Sequence, residues 1–409
     1  MNYKITPPKN ISGRIILPSS KSICNRALII NALSNSPYPI ENLSDCDDTR
    51  AVVGVLNSDG KHFDVGAAGT AMRFLTAFLS KIVGEWTITG SERMKNRPIR
   101  ILVDALNQLG AKIEYTEKEG FPPLRIFGSA LQGGEIELDG SVSSQYLSAL
   151  LMVAPTMQHG LTIHLKDKVA SKPYIFMTLK LMEDFGVKST WRGGEISVPA
   201  QEYKQIPFCV ESDWSAAAYW YEILALCGEG EIFLEGLHKK SYQGDAAVAD
   251  LFADLGVNTA FEKDGVRLTP AGKIVSPMIY NFAEQPDLAQ TFAVTCCLLN
   301  VPFSFSGLET LKIKETDRVA ALIAELRKLG FLLHERADGA LEWQGDKTAP
   351  EEMPVIRTYE DHRMAMSFAP AALKINNLHI AEPQVVTKSY PCFWEDLQTA
   401  GFTLATDYI

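Results

Sequence analysis

A helical pattern of apolar residues that stops at a glycine and continues as an alternating strand pattern recurs along this chain. The glycine stands just past the last helical turn, where a left-handed residue lets the backbone leave the helix. Copies spaced about 70 residues apart are too long for solenoid repeats and typical of compact α+β units. The copies end at Gly110, Gly186, Gly256, Gly330 and, in shorter form, Gly401, and residues 55–60 are a degenerate first copy. The pattern predicts six such units, three in each of two similar domains.

The first strong helix start follows a Pro-Ser-Ser sequence. Apolar residues recur at helical spacing behind it, so Ser19 or Ser20 is predicted as the N-cap. Lys21, Ser22 and Arg26 then fall near the first turn, where free N–H groups and the helix dipole favour an anion. A well-capped surface helix with solvated charges is the alternative for this segment taken alone.

Helix starts of this kind, with cations or hydroxyl groups, return several times. They are residues 66–73, with Gly69; 94–99, with Arg97; 139–145, with Ser143, Ser144 and Gln145; 171–174, with Ser171 and Tyr174; 314–318, with Lys314, Glu315 and Arg318; 360–363, with His362 and Arg363; and the segment ahead of Tyr390, with Lys388. One carboxylate, Asp287, also opens a helix. Each start alone is explained by capping. Together they predict one cationic cleft that holds two small anions.

Composition supports a local rather than a general basic surface. The chain has 409 residues, 46% of them hydrophobic and 22% charged, which predicts a globular protein of two domains. Its net charge of −10 argues against a general nucleic-acid binder. The cations at the helix starts are therefore expected to serve small-molecule anions.

Cysteine usage and the N-terminal sequence bear on location. The seven cysteines form no C-x-x-C pair, which predicts reduced thiols, and the first residues contain no apolar signal region. We expect a soluble cytoplasmic monomer that binds neither nucleic acid nor membrane. The sequence contains no Walker A, G-x-G-x-x-G or H-E-x-x-H motif, so no ATP, dinucleotide, zinc or other cofactor is predicted.

The motifs, taken in order, resemble those of the 5-enolpyruvylshikimate-3-phosphate synthase family (3-phosphoshikimate 1-carboxyvinyltransferases). The resemblance covers nearly the whole chain, from about Lys21 to Lys388. The segments that carry it are residues 20–27, 68–73, 97–99, 139–145, 171–174, 314–318 and 361–366. It implies an α/β (α+β) fold of two domains, each of three β-α-β-α-β-β units, at 20–210 and at 1–19 with 211–409. It also implies an active site in the interdomain cleft.

The implied reaction is transfer of the enolpyruvyl group of phosphoenolpyruvate to the 5-hydroxyl of shikimate 3-phosphate, with release of phosphate. By match to the family, the shikimate 3-phosphate ligands would be Lys21, Ser22, Arg26, Ser143, Ser144, Gln145, Ser171, Tyr174, Asp287, Thr310 and Lys314. The phosphoenolpyruvate ligands would be Lys21, Gly69, Arg97, Gln145, Arg318, Arg363 and Lys388. Asp287 matches the family's base. Glu315 and Lys388, with Lys21 and His362 nearby, are candidates for proton transfer at C3, and the sequence does not apportion these roles.

The sequence departs from the family pattern at three places. Ala67 stands where Asn is usual, Phe74 where Pro is common, and Thr310 where Asn is frequent. Gly69 is retained, so we expect inhibition by glyphosate.

Two other functions remain open at this stage. One is the related enolpyruvyl transferase that acts on UDP-N-acetylglucosamine and shares the fold, although its characteristic loop cysteine has no match here. The other is a non-catalytic anion-binding protein, against which the presence of Asp287, Glu315 and Lys388 together counts, since binding alone needs no base among cations.

Overall fold

The structure is a computed structural model that describes residues 1–140, 143–167, 169 and 171–407. Ser141 and Val142 of the predicted 139–145 segment therefore lie outside the described residues. By its internal contacts the chain divides into two compact units. We call Ser19–Val210 the inserted unit, and Met1–Pro18 with Glu211–Ile409 the terminal unit.

The strands are short and spread over the whole chain. They are β1 Asn2–Thr6, β2 Ser12–Ile16, β3 Ile40–Glu41, β4 His62–Asp64, β5 Gly84–Thr89, β6 Lys112–Tyr115, β7 Leu124–Gly128, β8 Gly134–Asp139, β9 Leu161–Lys166, β10 Thr190–Arg192, β11 Glu195–Val198, β12 Phe208–Cys209, β13 Glu231–Glu235, β14 Leu255–Glu262, β15 Gly265–Ile274, β16 Met278–Asn281, β17 Phe303–Ser306, β18 His334–Glu335, β19 Leu341–Trp343, β20 Val355–Ile356, β21 His379–Ala381 and β22 Thr403–Asp407.

Helices alternate with the strands. They are α1 Lys21–Leu33, α2 Asp47–Leu56, α3 Gly69–Lys81, α4 Glu92–Lys95, α5 Arg100–Gln108, α6 Ser144–Val153, α7 Lys172–Asp184, α8 Trp214–Cys227, α9 Val248–Ala253, α10 Ala289–Leu298, α11 Arg318–Lys328, α12 His362–Phe368 and α13 Phe393–Thr399. Short 3-10 helices lie at Ala154–Thr156, Gly244–Ala247, Pro286–Leu288, Glu309–Ile313, Ala369–Leu373 and Pro383–Lys388. None of the helices in the described residues is long and apolar enough to cross a membrane.

Five four-stranded sheets share one arrangement, in which two parallel strands are extended by two antiparallel ones. In the terminal unit the orders are β20-β21-β1-β22, β14-β15-β13-β2 and β16-β17-β19-β18, and in the inserted unit β4-β5-β7-β6 and β10-β11-β9-β8. The parallel pairs, such as β8 with β9 and β16 with β17, are linked through a helix, as parallel strands require. The repeated α/β unit is the fold class that the recurring pattern predicts.

The sixth sheet keeps only its parallel pair, β3 with β12. The helix α2 ends at Leu56 and leads directly into β4, which pairs with β5 of the next sheet. Gly60 therefore has no helix-stop role, and its backbone is outside the left-handed region, unlike the other predicted glycines. The degenerate first copy lacks the hairpin that the helix stop would introduce.

Four of the predicted helix stops have the expected hydrogen bonds. At Gly186, for example, φ is 84° and the N–H of Val187 donates to the carbonyl of Met182. Gly256 differs, because α9 ends at Ala253 and this glycine lies inside β14, beside a register shift against β15. The left-handed residue predicted behind this helix is nevertheless present, since φ of Gly256 is 86° two residues past the C-cap Asp254.

The cores lie where helices pack with apolar residues all round. In the inserted unit α1, α3, α6 and α7 pack against one another. In the terminal unit α8 and α10 are buried on nearly every side, among the residues of one large core. A helix that is buried on every side can reach solvent only at its ends, so binding residues of such helices are expected at the ends.

Candidate active site

In the inserted unit Arg26 ties three helices together. Its guanidinium donates to Thr178 Oγ1 on α7 at 2.7 Å and to Ser148 Oγ on α6 at 3.0 Å. It also donates to the carbonyl of Ser22 at 2.8 Å. Ser148 is the fifth residue of α6 and Thr178 the seventh of α7, so Arg26 joins α1 to the middle of both helices.

Burial affects both the accessibility and the charge of Arg26. The residue is 2% exposed, and burial lowers the pKa of its guanidinium to about 10. Its donors are directed at protein groups, so the geometry makes Arg26 a brace between helices. A contact from Arg26 to shikimate 3-phosphate stays a prediction.

Lys21 opens α1 and lies beside a buried carboxylate. Its Nζ is 3.9 Å from Oδ2 of Asp48, whose side chain is 1% exposed. Ser20 takes the N-cap position, but its side chain makes no capping hydrogen bond, so the predicted serine cap is wrong in this respect. The ammonium group of Lys21 thus lies near the start of α2, where Asp48 is an acidic residue of the first turn.

Gly69 and Arg97 form a second cationic helix start. Gly69 is the first residue of α3, and a Cβ built on it would lie 3.0 Å from Cζ of Arg97. The guanidinium thus lies directly against the helix N-terminus. No carboxylate of the described residues pairs with Arg97. A helix N-terminus and an adjacent guanidinium together bind a carboxylate or phosphate well.

The start of α6 lies beside the start of α3. Ser143 is the N-cap, and its Oγ accepts from the N–H of Gln145 at 3.3 Å. The side-chain amide of Gln145 donates to Thr70 Oγ1 on α3, also at 3.3 Å. Ser144, the first residue of α6, is therefore brought close to Gly69.

The start of α7 contributes the remaining predicted residues of the inserted unit. Ser171 is the N-cap in a left-handed conformation (φ 52°) and makes no side-chain capping bond. Tyr174 lies in the first turn, and its carbonyl accepts from Arg26 and from Thr178. All of the predicted inserted-unit residues thus belong to helix starts that the network around Arg26 and Gln145 joins.

In the terminal unit Asp287 is surrounded by three cations. Its Oδ1 lies 3.0 Å from Nη1 of Arg318 and 3.7 Å from Nζ of Lys314, and its Oδ2 lies 3.0 Å from Nη2 of Arg363. Asp287 sits in the 3-10 helix that leads into α10, and its side chain is 14% exposed. Burial lowers the pKa of Lys314, an effect that Asp287 opposes. Each oxygen of this carboxyl group thus lies beside at least one cation.

Arg318 is the centre of this cluster. Besides Asp287, it donates to Asp361 Oδ2 at 2.7 Å and to Glu315 Oε2 at 2.9 Å, with only 1% of its side chain exposed. Burial disfavours the charge, but these three carboxylates outweigh it and raise the pKa of the guanidinium. The guanidinium nitrogens of Arg318 thus donate mostly to carboxylates of the protein and hold them in place.

Glu315 links Arg318 to the last predicted cation. Its Oε1 lies 2.8 Å from Nζ of Lys388, which ends the 3-10 helix Pro383–Lys388. Both side chains are largely buried, at 13% and 10% exposure. A carboxylate and an ammonium in direct contact can exchange a proton, which suits a step in which a carbon gains one and then loses one.

His362 and Thr310 complete the predicted set. His362 is the first residue of α12 and is 2% exposed in its side chain, with Nδ1 3.7 Å from Oδ1 of Asp361. Thr310 lies in the 3-10 helix Glu309–Ile313, and its buried hydroxyl has no hydrogen-bond partner in the described part of the chain. A buried hydroxyl group without a protein partner can form a hydrogen bond with a ligand.

The charges of the terminal cluster do not cancel. Lys314, Arg318, Arg363 and Lys388 face the carboxylates of Asp287, Glu315 and Asp361. Among these seven groups the cations outnumber the carboxylates by one, in a chain whose net charge is −10. A carboxylate among cations can accept a proton, and the cations can attract an anion.

Comparisons with known proteins place the chain among enzymes. The family model described as EPSP synthase (3-phosphoshikimate 1-carboxyvinyltransferase) matches residues 5–63 and 54–397. A 3-phosphoshikimate 1-carboxyvinyltransferase of Bacteroides fragilis is 55% identical over 98% of both chains.

The chain belongs to the EPSP synthase family.

More distant members agree with this assignment. A 3-phosphoshikimate 1-carboxyvinyltransferase of Vibrio cholerae serotype O1 is 37% identical, over 96% of this chain and 97% of the relative. The EPSP synthase structure from Acinetobacter baumannii has the same fold, with a TM-score of 0.78 at 19% identity over 99% of this chain and all of the other. The family, the enzyme class and the fold predicted from the motifs are confirmed.

Three residues of this EPSP synthase family member were not predicted as site residues. Asp361 lies in the predicted 360–363 helix start, at a position typical of an N-cap. It does cap α12, since its carboxylate accepts from the N–H of Arg363. The same carboxylate also accepts from the guanidinium of Arg318. Asp48 is one of two acidic residues at the start of α2, which also reads as capping. Tyr219 accepts from Arg363 Nη1 at 3.2 Å, and nothing in its apolar helix α8 distinguishes it from a core residue.

Proposed function

We propose that the chain transfers the enolpyruvyl group of phosphoenolpyruvate to the 5-hydroxyl of shikimate 3-phosphate, giving 5-enolpyruvylshikimate 3-phosphate and phosphate. Its relatives carry the name of this activity. The observation that supports it most is Asp287, a carboxylate held within 3.0 Å of both Arg318 and Arg363. A base with cations on both of its oxygens suits a reaction in which a hydroxyl attacks an electrophilic carbon of an anionic substrate.

The residues of the terminal unit suit the addition step. The hydroxyl oxygen attacks C2 of phosphoenolpyruvate, Asp287 takes the hydroxyl proton, and C3 gains a proton. Glu315 and Lys388, 2.8 Å apart, are the pair we assign to C3. His362 is buried beside Asp361, so we give it a supporting rather than a proton-transferring role.

The elimination step reverses the proton movement at C3. The bond from C2 to the phosphate oxygen breaks, C3 loses a proton, and phosphate leaves. Preplaced cations stabilise the charge that develops on the leaving group, and this electrostatic contribution is usually the largest in enzymes. Lys21, Arg97, Lys314 and Lys388 are the cations available for it, and each charge-assisted hydrogen bond contributes on the order of 1.5–3 kcal/mol.

The helix starts of the inserted unit suit anion binding. We assign Ser143, Ser144, Gln145, Ser171 and Tyr174 to shikimate 3-phosphate, and the Gly69 backbone with Arg97 to phosphoenolpyruvate. The support is that Arg97 lies directly against the first residue of α3. In this proposal the predicted domains, 20–210 and 1–19 with 211–409, both act on the same two substrates.

The protein is also proposed to work as a cytoplasmic monomer. All seven cysteines are free thiols, which suits a reducing compartment. Light scattering on the purified chain measures its mass directly, against 45.1 kDa for one copy.

A phosphate-release assay tests the reaction. Phosphoenolpyruvate is offered with shikimate 3-phosphate in one arm and with UDP-N-acetylglucosamine in the other, and the product is identified by mass spectrometry. We expect release only in the first arm and a fall in turnover of at least about 100-fold in Asp287→Asn. Asp250→Asn, the same change at an exposed position of the terminal unit, is the control and should keep wild-type turnover. Release with UDP-N-acetylglucosamine would assign the related transferase activity, and binding without release in either arm would assign a non-catalytic protein.

A further inference from the structure

A fourth buried carboxyl group lies next to the terminal cluster. Asp245 is the second residue of the 3-10 helix Gly244–Ala247 and is 4% exposed. Its Oδ2 accepts a short hydrogen bond from the hydroxyl of Ser215, the second residue of α8. No motif predicts a role for it, and the proposed reaction does not use it.

One face of α8 connects Asp245 to the cations around Asp287. Ser215 and Tyr219 are four residues apart and therefore share this face. Ser215 holds Asp245, and the hydroxyl of Tyr219 accepts from Nη1 of Arg363 at 3.2 Å. The other terminal nitrogen of Arg363 donates to Asp287 at 3.0 Å. The 3-10 helices that carry Asp245 and Asp287 both pack against α8.

Charged groups of three neighbouring elements act on Asp245. Asp287 and Asp213, the N-cap of α8, repel a second negative charge, and Arg363 on α12 attracts it. Burial is the largest effect, and with Asp287 it raises the pKa of Asp245 to about 7, while Arg363 and the Ser215 hydroxyl oppose the rise.

We propose that Asp245 is a positioning residue for Arg363, and that the binding of an anion at Arg363 is coupled to the uptake of a proton by Asp245. The inference rests on the proposed function, in which Arg363 binds phosphoenolpyruvate. An ionised Asp245 competes with the substrate carboxylate for the guanidinium. A protonated Asp245 leaves the charge of Arg363 to the ligand and to Asp287.

The direction of the coupling follows from electrostatics. A bound anion adds negative charge beside Asp245 and favours its protonated form, so binding takes up a proton at pH values above about 7. By reciprocity, protonation strengthens anion binding by the same factor. The affinity for the anion then falls as the pH rises above 7, by at most about tenfold per pH unit.

Proton uptake on binding tests the coupling independently of turnover. The full chain, in weakly buffered solution with a pH indicator, is mixed at pH 7.5 with phosphoenolpyruvate or with sulfate, an anion that does not titrate in this range. We expect uptake of a fraction of one proton per bound anion in the wild type and in Asp250→Asn, whose charge change lies five residues away at an exposed position. In Asp245→Asn the uptake should disappear, and KM for phosphoenolpyruvate should no longer rise between pH 7 and 8.5.

Ser215→Ala gives a second test that keeps the carboxyl group. The hydroxyl of Ser215 opposes the rise in the pKa of Asp245, so its removal should move the pH of maximal uptake upward. Equal uptake in Asp245→Asn and wild type would overturn the inference, and so would an unchanged pH of maximal uptake in Ser215→Ala. Failure of the proposed function would look different: anions would bind with normal proton uptake, but no enolpyruvyl product would form.

Discussion

The Cβ atom that Gly69 lacks would stand 3.0 Å from Cζ of Arg97, and closer still to its Nη1. The first residue of α3 and the guanidinium therefore share one space, and any side chain at position 69 displaces the cation. Arg97 has a flexible side chain, so its guanidinium can move away from the added Cβ. The helix would remain intact while the anion site changes shape.

Gly69→Ala should therefore raise KM for phosphoenolpyruvate about tenfold, equivalent to about 1.4 kcal/mol of binding, with little change in kcat. Gly54→Ala is the matched control, because Gly54 lies within α2 and has no atom within 4 Å of its added Cβ. Steady-state kinetics give KM for phosphoenolpyruvate and kcat of both variants for comparison with the wild type. An unchanged KM in Gly69→Ala would mean that Arg97 takes no part in binding this substrate.

Glyphosate should inhibit the enzyme in competition with phosphoenolpyruvate. The prediction depends on the same contact, since a side chain at position 69 would displace the Arg97 guanidinium that is expected to bind the anion. Inhibition is measured at several phosphoenolpyruvate concentrations in the wild type and in Gly69→Ala. An inhibition constant far above KM for phosphoenolpyruvate in the wild type would contradict the prediction.

Arg318→Met should destabilise the terminal unit strongly. The change leaves Asp361 completely buried without its guanidinium partner, and Glu315 loses one of its two cations. Breaking a buried ion pair in this way costs roughly 3–5 kcal/mol, which urea unfolding measures. Arg267→Met is the control, because Arg267 pairs with Glu262 and Glu231 at the surface, where the loss should stay below about 1 kcal/mol. Similar losses in the two variants would show that the cluster around Arg318 is not buried in solution.

Glu222 should make stability fall as the pH rises. It lies in α8 inside the terminal core, and burial raises its pKa well above the ordinary value, an effect that Thr295 only partly opposes. A raised pKa in the folded state means that the folded protein binds the proton more tightly than the unfolded chain. The stabilisation is therefore complete below the unfolded pKa of about 4.5 and is lost as the pH rises towards the folded pKa.

Glu222→Gln removes this titration. Its free energy of unfolding should match that of the wild type at the acidic end and exceed it increasingly at higher pH, by up to about 1.4 kcal/mol per pH unit. Urea unfolding between pH 5 and 8 gives the comparison, and Glu229→Gln, at an exposed position just past α8, is the control. A constant difference across this range would mean that Glu222 is ionised in the folded protein.

The sequence by itself determined the repeated unit and the family. Apolar periodicity and the glycines behind it are local properties, because a helix stop at Gly186 needs only the residues around it. The motifs at the helix starts also depend on neighbouring residues in the chain. For this reason the α/β repeat and the candidate residues could be predicted from the sequence alone. Gly256 shows the limit, since its left-handed backbone follows a helix as predicted, whereas its place inside β14 depends on pairing with β15.

Only the tertiary structure decided which of these residues share an environment. Asp361 reads as an N-cap in the sequence, yet it holds Arg318, which lies 43 positions away. Asp245 reads as an ordinary polar residue, yet burial and the charge of Asp287 raise its pKa to about 7. Desolvation and Coulomb interactions depend on distance through space, which a sequence does not contain. The charge state of the cluster is therefore a property of the fold.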